Sequence, residues 1–127
     1  MFPKSTAKLK PGDACLVPRD DGRFVPLIFI CSPTGKRSAP YVGLLSVVLE
    51  SNDISLVPDG AKIGPWALIH ISAYRENKTP IVGNLATKVG LEAISEVALL
   101  ALDRGIGAKQ SVWGYKTIVK YANSVVV

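Results

Sequence analysis

Residues 10–32, KPGDACLVPRDDGRFVPLIFICS, constrain the fold most because they predict one β-hairpin. Asp13–Pro18 is a short apolar strand and Phe24–Cys31 is a longer one, with Arg-Asp-Asp-Gly between them at 19–22. Asp-Gly between two apolar runs is a strong hairpin signal, since glycine adopts the positive φ that a tight turn requires. Pro11-Gly12 predicts a second turn, which leads the chain into the first strand. An opening of this kind is typical of a small β-barrel.

Four further apolar segments predict strands at residues 41–49, 54–57, 66–71 and 80–83. The first of them is almost continuously apolar, so we expect it to be buried on both faces, with Gly43 as a candidate bulge. In the segment 66–71, alternation places Trp66, Leu68 and His70 on one face. The segment 80–83 predicts a brief edge strand.

One stretch, Leu91–Arg104, has clear helical spacing. Its expected buried stripe, widened by Leu99 and Leu100, consists of Ile94, Val97, Ala98, Ala101 and Leu102. Glu92 and Glu96 mark the solvated side, and Thr87 is a candidate N-cap if the helix begins early. Residues 112–127 are again rich in β-branched and aromatic residues, and they predict closing strands.

These elements predict a single domain over residues 1–127 of mainly β, or α+β, class. We expect a small, strongly bent antiparallel sheet or an SH3-like barrel, with one amphipathic helix across an opening. Residues 1–9 are polar and expected to be flexible, residues 10–84 form the β core, and residues 112–127 close it.

The composition narrows the classes of function. Apolar residues make up 48% of the chain, so either the sheet is buried on most sides or an apolar face is kept for a partner. The apolar runs are too short to span a bilayer, and no secretory signal follows the basic N-terminal residues, so we expect a cytoplasmic protein. A net charge of +5 keeps binding to nucleic acid possible.

Few residues favour catalysis. His70 is the one histidine, and its place on an alternating strand indicates a core or half-buried role. Asp20 and Asp21 occupy a turn, where aspartate forms local hydrogen bonds. The chain lacks a metal-ligand spacing and a nucleophile beside a base. We therefore expect no catalytic residues, no metal and no cofactor.

The two cysteines lie on the two arms of the predicted hairpin. Counting from a turn centred between Asp20 and Asp21 places Cys15 roughly opposite Pro26 and Cys31 roughly opposite Lys10. The two thiols are therefore not cross-strand partners, and we expect both to be buried and free.

Two motifs open the chain, GDACLVP at residues 12–18 and DGRF at residues 21–24. A Gly-Asp strand followed by an Asp-Gly-basic-aromatic turn resembles the start of the immunity-26 family of bacterial polymorphic-toxin systems. PIVGN at residues 80–84 is similar to a later glycine-containing segment of that family, without the tryptophan that precedes it there. The resemblance covers residues 1–50 and, more loosely, 66–84. It implies an SH3-like barrel that neutralises a cognate toxin by direct binding, without catalysis.

The same opening, with PLIFI at residues 26–30, also resembles the MazF/PemK-like ribonuclease toxins, which are SH3-like barrels too. In that family the catalytic arginine immediately precedes the proline of the second strand. Here Val25 has that position, Arg23 lies two residues earlier, and Ser46 is the one residue at the place of a strand-borne threonine. A third alternative, suggested by the net charge, is an RNA-binding barrel of the KOW type.

Two connections carry the best candidates for a binding site. Lys36 and Arg37 lie in the turn-rich loop 32–40, and Tyr74 and Arg75 lie in the charged connection 74–79. Both connections follow predicted barrel strands, and loops of that kind can converge on one rim of a barrel. We therefore predict that these four residues contribute to a protein-binding surface. Two separate solvated loops are the alternative.

Replacing Gly22 by valine tests the hairpin. The substitution forces a positive φ on a β-branched residue, so it should destabilise the fold by about 1–3 kcal/mol. Thermal unfolding of the variant measures the effect. An unchanged melting temperature would mean that the turn lies elsewhere.

Overall fold

A computed structural model describes residues 10–31, 41–69, 81–104 and 112–125. The strands in these ranges are β1 (Asp13–Pro18), β2 (Phe24–Cys31), β3 (Tyr41–Leu45), β4 (Ile63–Ile69), β5 (Gly83–Asn84) and β6 (Val112–Trp113). The helices are α1 (Ala86–Val89), α2 (Leu91–Arg104) and α3 (Tyr115–Ser124), and a 3₁₀ turn spans Ile54–Leu56.

The predicted hairpin is confirmed, with both strands at their expected bounds. Gly22 has a φ of +84°, and the backbone N–H of Arg19 donates to the carbonyl of Arg23 across the turn at 2.7 Å. Three residues, 20–22, therefore form the loop. The expected register is wrong by one position because of this loop: Cys15 lies opposite Leu27. The two cysteines form no disulfide, as predicted, but Cys31 is only half-buried.

The strands form one open sheet in the order β5-β1-β2-β3-β4-β6, so the mainly β, α+β class is confirmed and the sheet is not a closed barrel. The pairs from β5 to β4 are antiparallel, whereas β6 runs parallel to β4. The β3–β4 register shifts after Gly43, where a bulge is expected. Pro65, which has no N–H to donate, lies within this irregular part of β4.

Both faces of the sheet are covered, which explains the continuous apolar runs of β2 and β3. One face packs against α3 through Ile118 and Ala122, beside Trp113 of β6. The other packs against α1 and α2 through Leu85, Ala86 and Ile94. Side chains alternate between the two clusters along each strand, as Leu16 and Val17 do in β1. The β3 strand is buried at every position, as predicted.

Several predicted bounds change. The β3 strand ends at Leu45 instead of residue 49, and β4 begins at Ile63 instead of residue 66. The expected strand at 54–57 is wrong, because the Asp53 side chain accepts a hydrogen bond from the Ser55 N–H and caps the 3₁₀ turn. The edge strand is found, shifted to 83–84, beside the start of β1.

The helices differ most from expectation. The bounds of α2 are confirmed, and Ile94 is buried, with Val97 and Ala98 packed beside it. Leu99 and Leu100 do not widen the buried stripe, because they are 70% and 53% exposed. Ala101 and Leu102 have side chains outside the described set. Thr87 is not an N-cap: it lies inside α1, and the Asn84 Oδ1 atom accepts from the Ala86 N–H instead.

The predicted closing strands at 112–127 are wrong over Tyr115–Ser124, and residues 126–127 lie outside the described residues. The chain forms α3 there, with Ile118 and Ala122 buried one turn apart. Tyr115, Ile118, Val119 and Ala122 have helical spacing, but the β-branched content of the segment outweighed that signal in our prediction.

The hairpin turn holds the end of α3. The Arg19 Nη1 atom donates to the carbonyls of Ala122 at 3.2 Å and Val125 at 2.7 Å. Asp20 and Asn123 exchange a further pair of hydrogen bonds at 2.9 and 3.1 Å. A guanidinium at the C-terminal end of a helix satisfies carbonyls that lack an intrahelical partner and complements the helix dipole.

Arg19→Ala should therefore detach the end of α3. The Arg19 side chain is only 10% exposed, and loss of its charged hydrogen bonds should cost about 2–3 kcal/mol. Thermal unfolding and hydrogen exchange of the α3 amides measure the effect. Arg23→Ala is the matched control, since Arg23 is half-exposed and its ion pairs lie within the turn and with Glu50. An equal loss in both variants would contradict this role.

Candidate protein-binding surface

The residues predicted to bind a partner, Lys36, Arg37, Tyr74 and Arg75, lie outside the described residues, as does His70. Their convergence on one rim therefore stays a prediction. The described residues contain a different candidate surface, and they also explain what the motif residues do.

Residues of two of the motifs, GDACLVP at 12–18 and PIVGN at 80–84, meet beside β5. The Asn84 Nδ2 atom donates to the carbonyl of Pro11 and to Asp13 Oδ1, both at 3.0 Å. Gly12 allows the approach, because a Cβ there would lie 2.7 Å from the Ala86 nitrogen. These contacts fasten the edge strand and the start of α1 to β1. The role of the Gly-Asp and Gly-Asn pairs is therefore structural.

The Asp-Gly-Arg turn is structural as well. Asp21 forms ion pairs with Arg23 at 2.8 Å and with Arg19 at 3.0 Å. Hydrogen bonds from Arg23, with a smaller contribution from Arg19, hold the pKa of Asp21 well below its usual range. Glu50 lies 3.5 Å from Arg23, so two carboxylates neutralise this guanidinium.

Ser46, the other residue considered for ribonuclease chemistry, belongs to a separate feature. It lines a cavity of about 300 Å³ together with Pro65, Tyr121, Ser124 and Val125. Arg23 faces Asp21 and Glu50 instead.

The other titratable groups with shifted pKa values have local explanations. Burial raises the pKa of the Cys31 thiol. Burial also raises the pKa of Tyr41. Hydrogen bonds from Ser55 lower the pKa of Asp53, the residue that caps the 3₁₀ turn. Within the described ranges, no three His, Cys, Asp or Glu residues are grouped as a metal site would require.

The clearest candidate surface is the exposed side of α2. Leu91, Leu99 and Leu100 are 63%, 70% and 53% exposed, although leucines of an amphipathic helix normally face the core. We define the α2 face as the exposed residues in the part of this helix whose side chains are described, 91–100: Leu91, Glu92, Ser95, Glu96, Leu99 and Leu100. The opposite side, with Ile94, Val97 and Ala98, packs on the sheet.

Helical spacing arranges the α2 face in two rows. Leu91, Ser95 and Leu99 follow one another four residues apart, and Glu92, Glu96 and Leu100 form the neighbouring row. Apolar and acidic side chains therefore lie side by side on one surface of a 14-residue helix. In the part of the chain that the structure describes, neither glutamate has a cation within ion-pair distance.

Two cavities border the α2 face. One of about 800 Å³ lies at the start of the helix, between Leu91 and the residues around β5, with Lys10 and Ile81 in its lining. The other, of about 380 Å³, lies between α2 and the start of β4, and its lining includes Ala93, Glu96 and Val97 from the helix and Lys62 opposite. Concave surface beside exposed leucines is what a protein partner requires.

The sequence contained a signal for this surface. A 14-residue helix with leucines at 91, 99 and 100 has more apolar residues than one buried stripe can hold. We assigned Leu99 and Leu100 to the core because hydrophobicity alone does not show which apolar side lies against the sheet.

No helix in the described part of the chain has the length and apolar character needed to cross a membrane. The chain matches no protein-family model, no curated protein and no solved structure.

Asp21 makes stability depend on pH in acid. Its pKa is lower in the folded chain than the ordinary 3.8, so its stabilisation is complete well above that value and is lost progressively as the pH falls through it. We expect the melting temperature to fall between about pH 5 and pH 2, and Asp21→Asn to flatten that fall.

Asp59→Asn is the matched control, because Asp59 is exposed. A melting temperature that depends on pH equally in wild type and Asp21→Asn would contradict the assignment.

Proposed function

We propose that the chain is a non-catalytic protein-binding domain, in its most specific form an immunity protein that neutralises a cognate bacterial toxin by direct binding. The observation that carries this proposal is the α2 face, where three leucines point into solvent on a helix whose other side is packed. We also propose that the protein is located in the cytoplasm.

The energetics of the leucines support a partner. Transfer of one leucine side chain out of water contributes about 1.5–3 kcal/mol, so three on one face provide a strong driving force for association. Exposed apolar patches on soluble domains commonly mark interaction surfaces. The α2 face also has polar side chains between its leucines, as a surface that meets water when unbound requires.

The resemblance to the immunity-26 family supports the more specific form. Its motif residues are engaged in holding the scaffold: Asn84 fastens β5 to β1, and Asp21 orders the hairpin turn. Because the residues that carry the resemblance hold the framework together, we propose that the residues that select a partner lie on other surfaces. The α2 face is one of them, and the predicted residues Lys36, Arg37, Tyr74 and Arg75 are proposed to extend it or to form a second contact.

The chemistry of the described residues favours binding over ribonuclease activity. A catalytic arginine must be available to stabilise developing negative charge, whereas Arg23 is held by Asp21 and Glu50.

RNA binding is a second candidate, because α3 presents a basic surface. Lys116, Lys120 and Tyr121 are exposed, and the sequence of this helix, YKTIVKYANS, contains no acidic residue. Lysines attract phosphates, and an exposed aromatic ring allows base stacking.

Toxin neutralisation tests the proposal. A toxin domain encoded directly upstream of this chain is the candidate partner, and its expression alone should arrest growth of a bacterial host. Co-expression of the chain should restore growth, and the two purified proteins should form a complex. A chain that restores no growth and forms no complex with that toxin contradicts the immunity role.

Incubation of the purified chain with mixed RNA substrates separates the alternatives. We expect no cleavage by the wild type. Cleavage that Arg23→Ala abolishes would establish the ribonuclease alternative instead. Binding of RNA without cleavage, lost in a Lys116→Glu, Lys120→Glu variant, would favour the RNA-binding domain.

A further inference from the structure

We propose that the α2 face binds an amphipathic helix of the partner that carries lysine or arginine beside its apolar stripe. This inference rests on the proposed protein-binding role and names the chemistry of the element that is bound. Three observations lead to it: the charge of the face, the arrangement of its rows, and the cavity beside it.

The charge of the α2 face is opposite to that of the chain. The whole sequence has a net charge of +5, yet among residues 91–100 of α2, whose side chains are described, the exposed ones include two glutamates and no lysine or arginine. No described cation lies within ion-pair distance of Glu92 or Glu96. Two carboxylates among exposed leucines repel an acidic partner and attract a basic one, which directs the encounter and sets its orientation.

The arrangement of the face suits a helix. Residues spaced four apart form ridges on a helix surface, and such ridges pack into the grooves of a second helix. Leu91 and Leu99 are the outer members of one ridge, two turns apart, and Glu96 and Leu100 lie on the next. A partner helix with apolar residues at matching spacing covers the leucines, and basic residues on its flank reach the glutamates.

The cavity between α2 and β4 gives the partner helix an edge to pack against. Its volume is about 380 Å³, and Ala93, Glu96 and Val97 form its α2 wall. A large apolar side chain from a helix lying across α2 fits beside Val97. Because Lys62 lines the opposite wall of the cavity, the neighbouring cation of the partner meets Glu96 on the α2 side. An anchor in a concave site next to an ion pair is the usual arrangement of an interface hot spot.

A synthetic peptide provides the direct test. The probe is an amphipathic helix of about five turns, with leucine on one face and lysine on both flanks. We expect it to bind the full chain and to be displaced by salt. A peptide with glutamate in place of every lysine should bind at least tenfold more weakly, since it meets like charge. Fluorescence anisotropy measures both affinities.

Matched variants locate the site. Leu99→Ser should weaken binding of the Leu–Lys peptide by about tenfold or more, because a desolvated leucine contact is lost. Glu96→Lys should weaken it too, more at low salt than at high salt. Leu56→Ser and Asp59→Lys are the controls, as they change an exposed leucine and an exposed acid outside α2. Both controls should bind within about twofold of wild type.

The possible results separate this inference from the function on which it rests. Equal binding of both peptides, or equal losses in α2 and control variants, overturns the inference. A toxin that is neutralised as well by Leu99→Ser as by wild type also overturns it and leaves the immunity role intact. In a third outcome, Leu99→Ser abolishes peptide binding but the wild-type chain neutralises no toxin. That outcome supports the inference and contradicts the immunity role.

The α3 helix has the same chemistry as the proposed ligand, with Lys116 and Lys120 beside Tyr121, so a second copy of the chain is the competing occupant. Sedimentation measures this directly. A dimer that Leu99→Ser and Lys120→Glu each dissociate would assign the face to self-association and overturn the inference. A wild-type monomer at the concentrations of the peptide assay supports it.

Discussion

Burial of both faces of the central strands is the constraint on which the rest of the structure depends. The β2 and β3 strands are apolar at consecutive positions, so each face of the sheet needs its own cover. The α2 helix supplies it on one side and α3 on the other. Because two helices are required, a barrel with one helix across its opening does not satisfy this sequence, and the sheet stays open.

Polar residues of the first hairpin, of β5 and of α1 attach these covering helices to the sheet. Arg19 binds the last carbonyls of α3, while Asn84 joins β1 to the segment that leads into α1 and α2. Lys88 adds a third link, since its Nζ atom donates to the carbonyls of Ser55 and Val57. Because these residues are engaged in structural contacts, few of their charged groups are available for catalysis. The exposed surface that takes no part in such contacts belongs largely to the helices.

Local signals allowed the hairpin, the α2 bounds and the bulge near Gly43 to be predicted, because each depends on turn glycines, alternation or helical spacing within a few residues. The failures have a common cause in tertiary contacts. The α3 helix contains residues that favour strands, and it is helical because Ile118 and Ala122 must face the sheet together. The α2 face was missed for the same reason: whether Leu99 is buried depends on which side of the helix meets β2 and β4, and spacing alone does not decide between adjoining apolar rows.

The Arg19–Val125 hydrogen bond joins positions 106 residues apart, and this has a consequence for the order in which the protein is made. Ribosomal synthesis releases β1 to β4 well before α3. Until residues 113–125 emerge, the side of the sheet formed by Cys15, Leu27 and Leu44 lacks the cover that Trp113 and α3 give it, and its apolar side chains are more open to water and to other chains. The nascent protein is therefore more vulnerable to aggregation just before translation reaches α3, and slow passage through the region before α3 would prolong that interval.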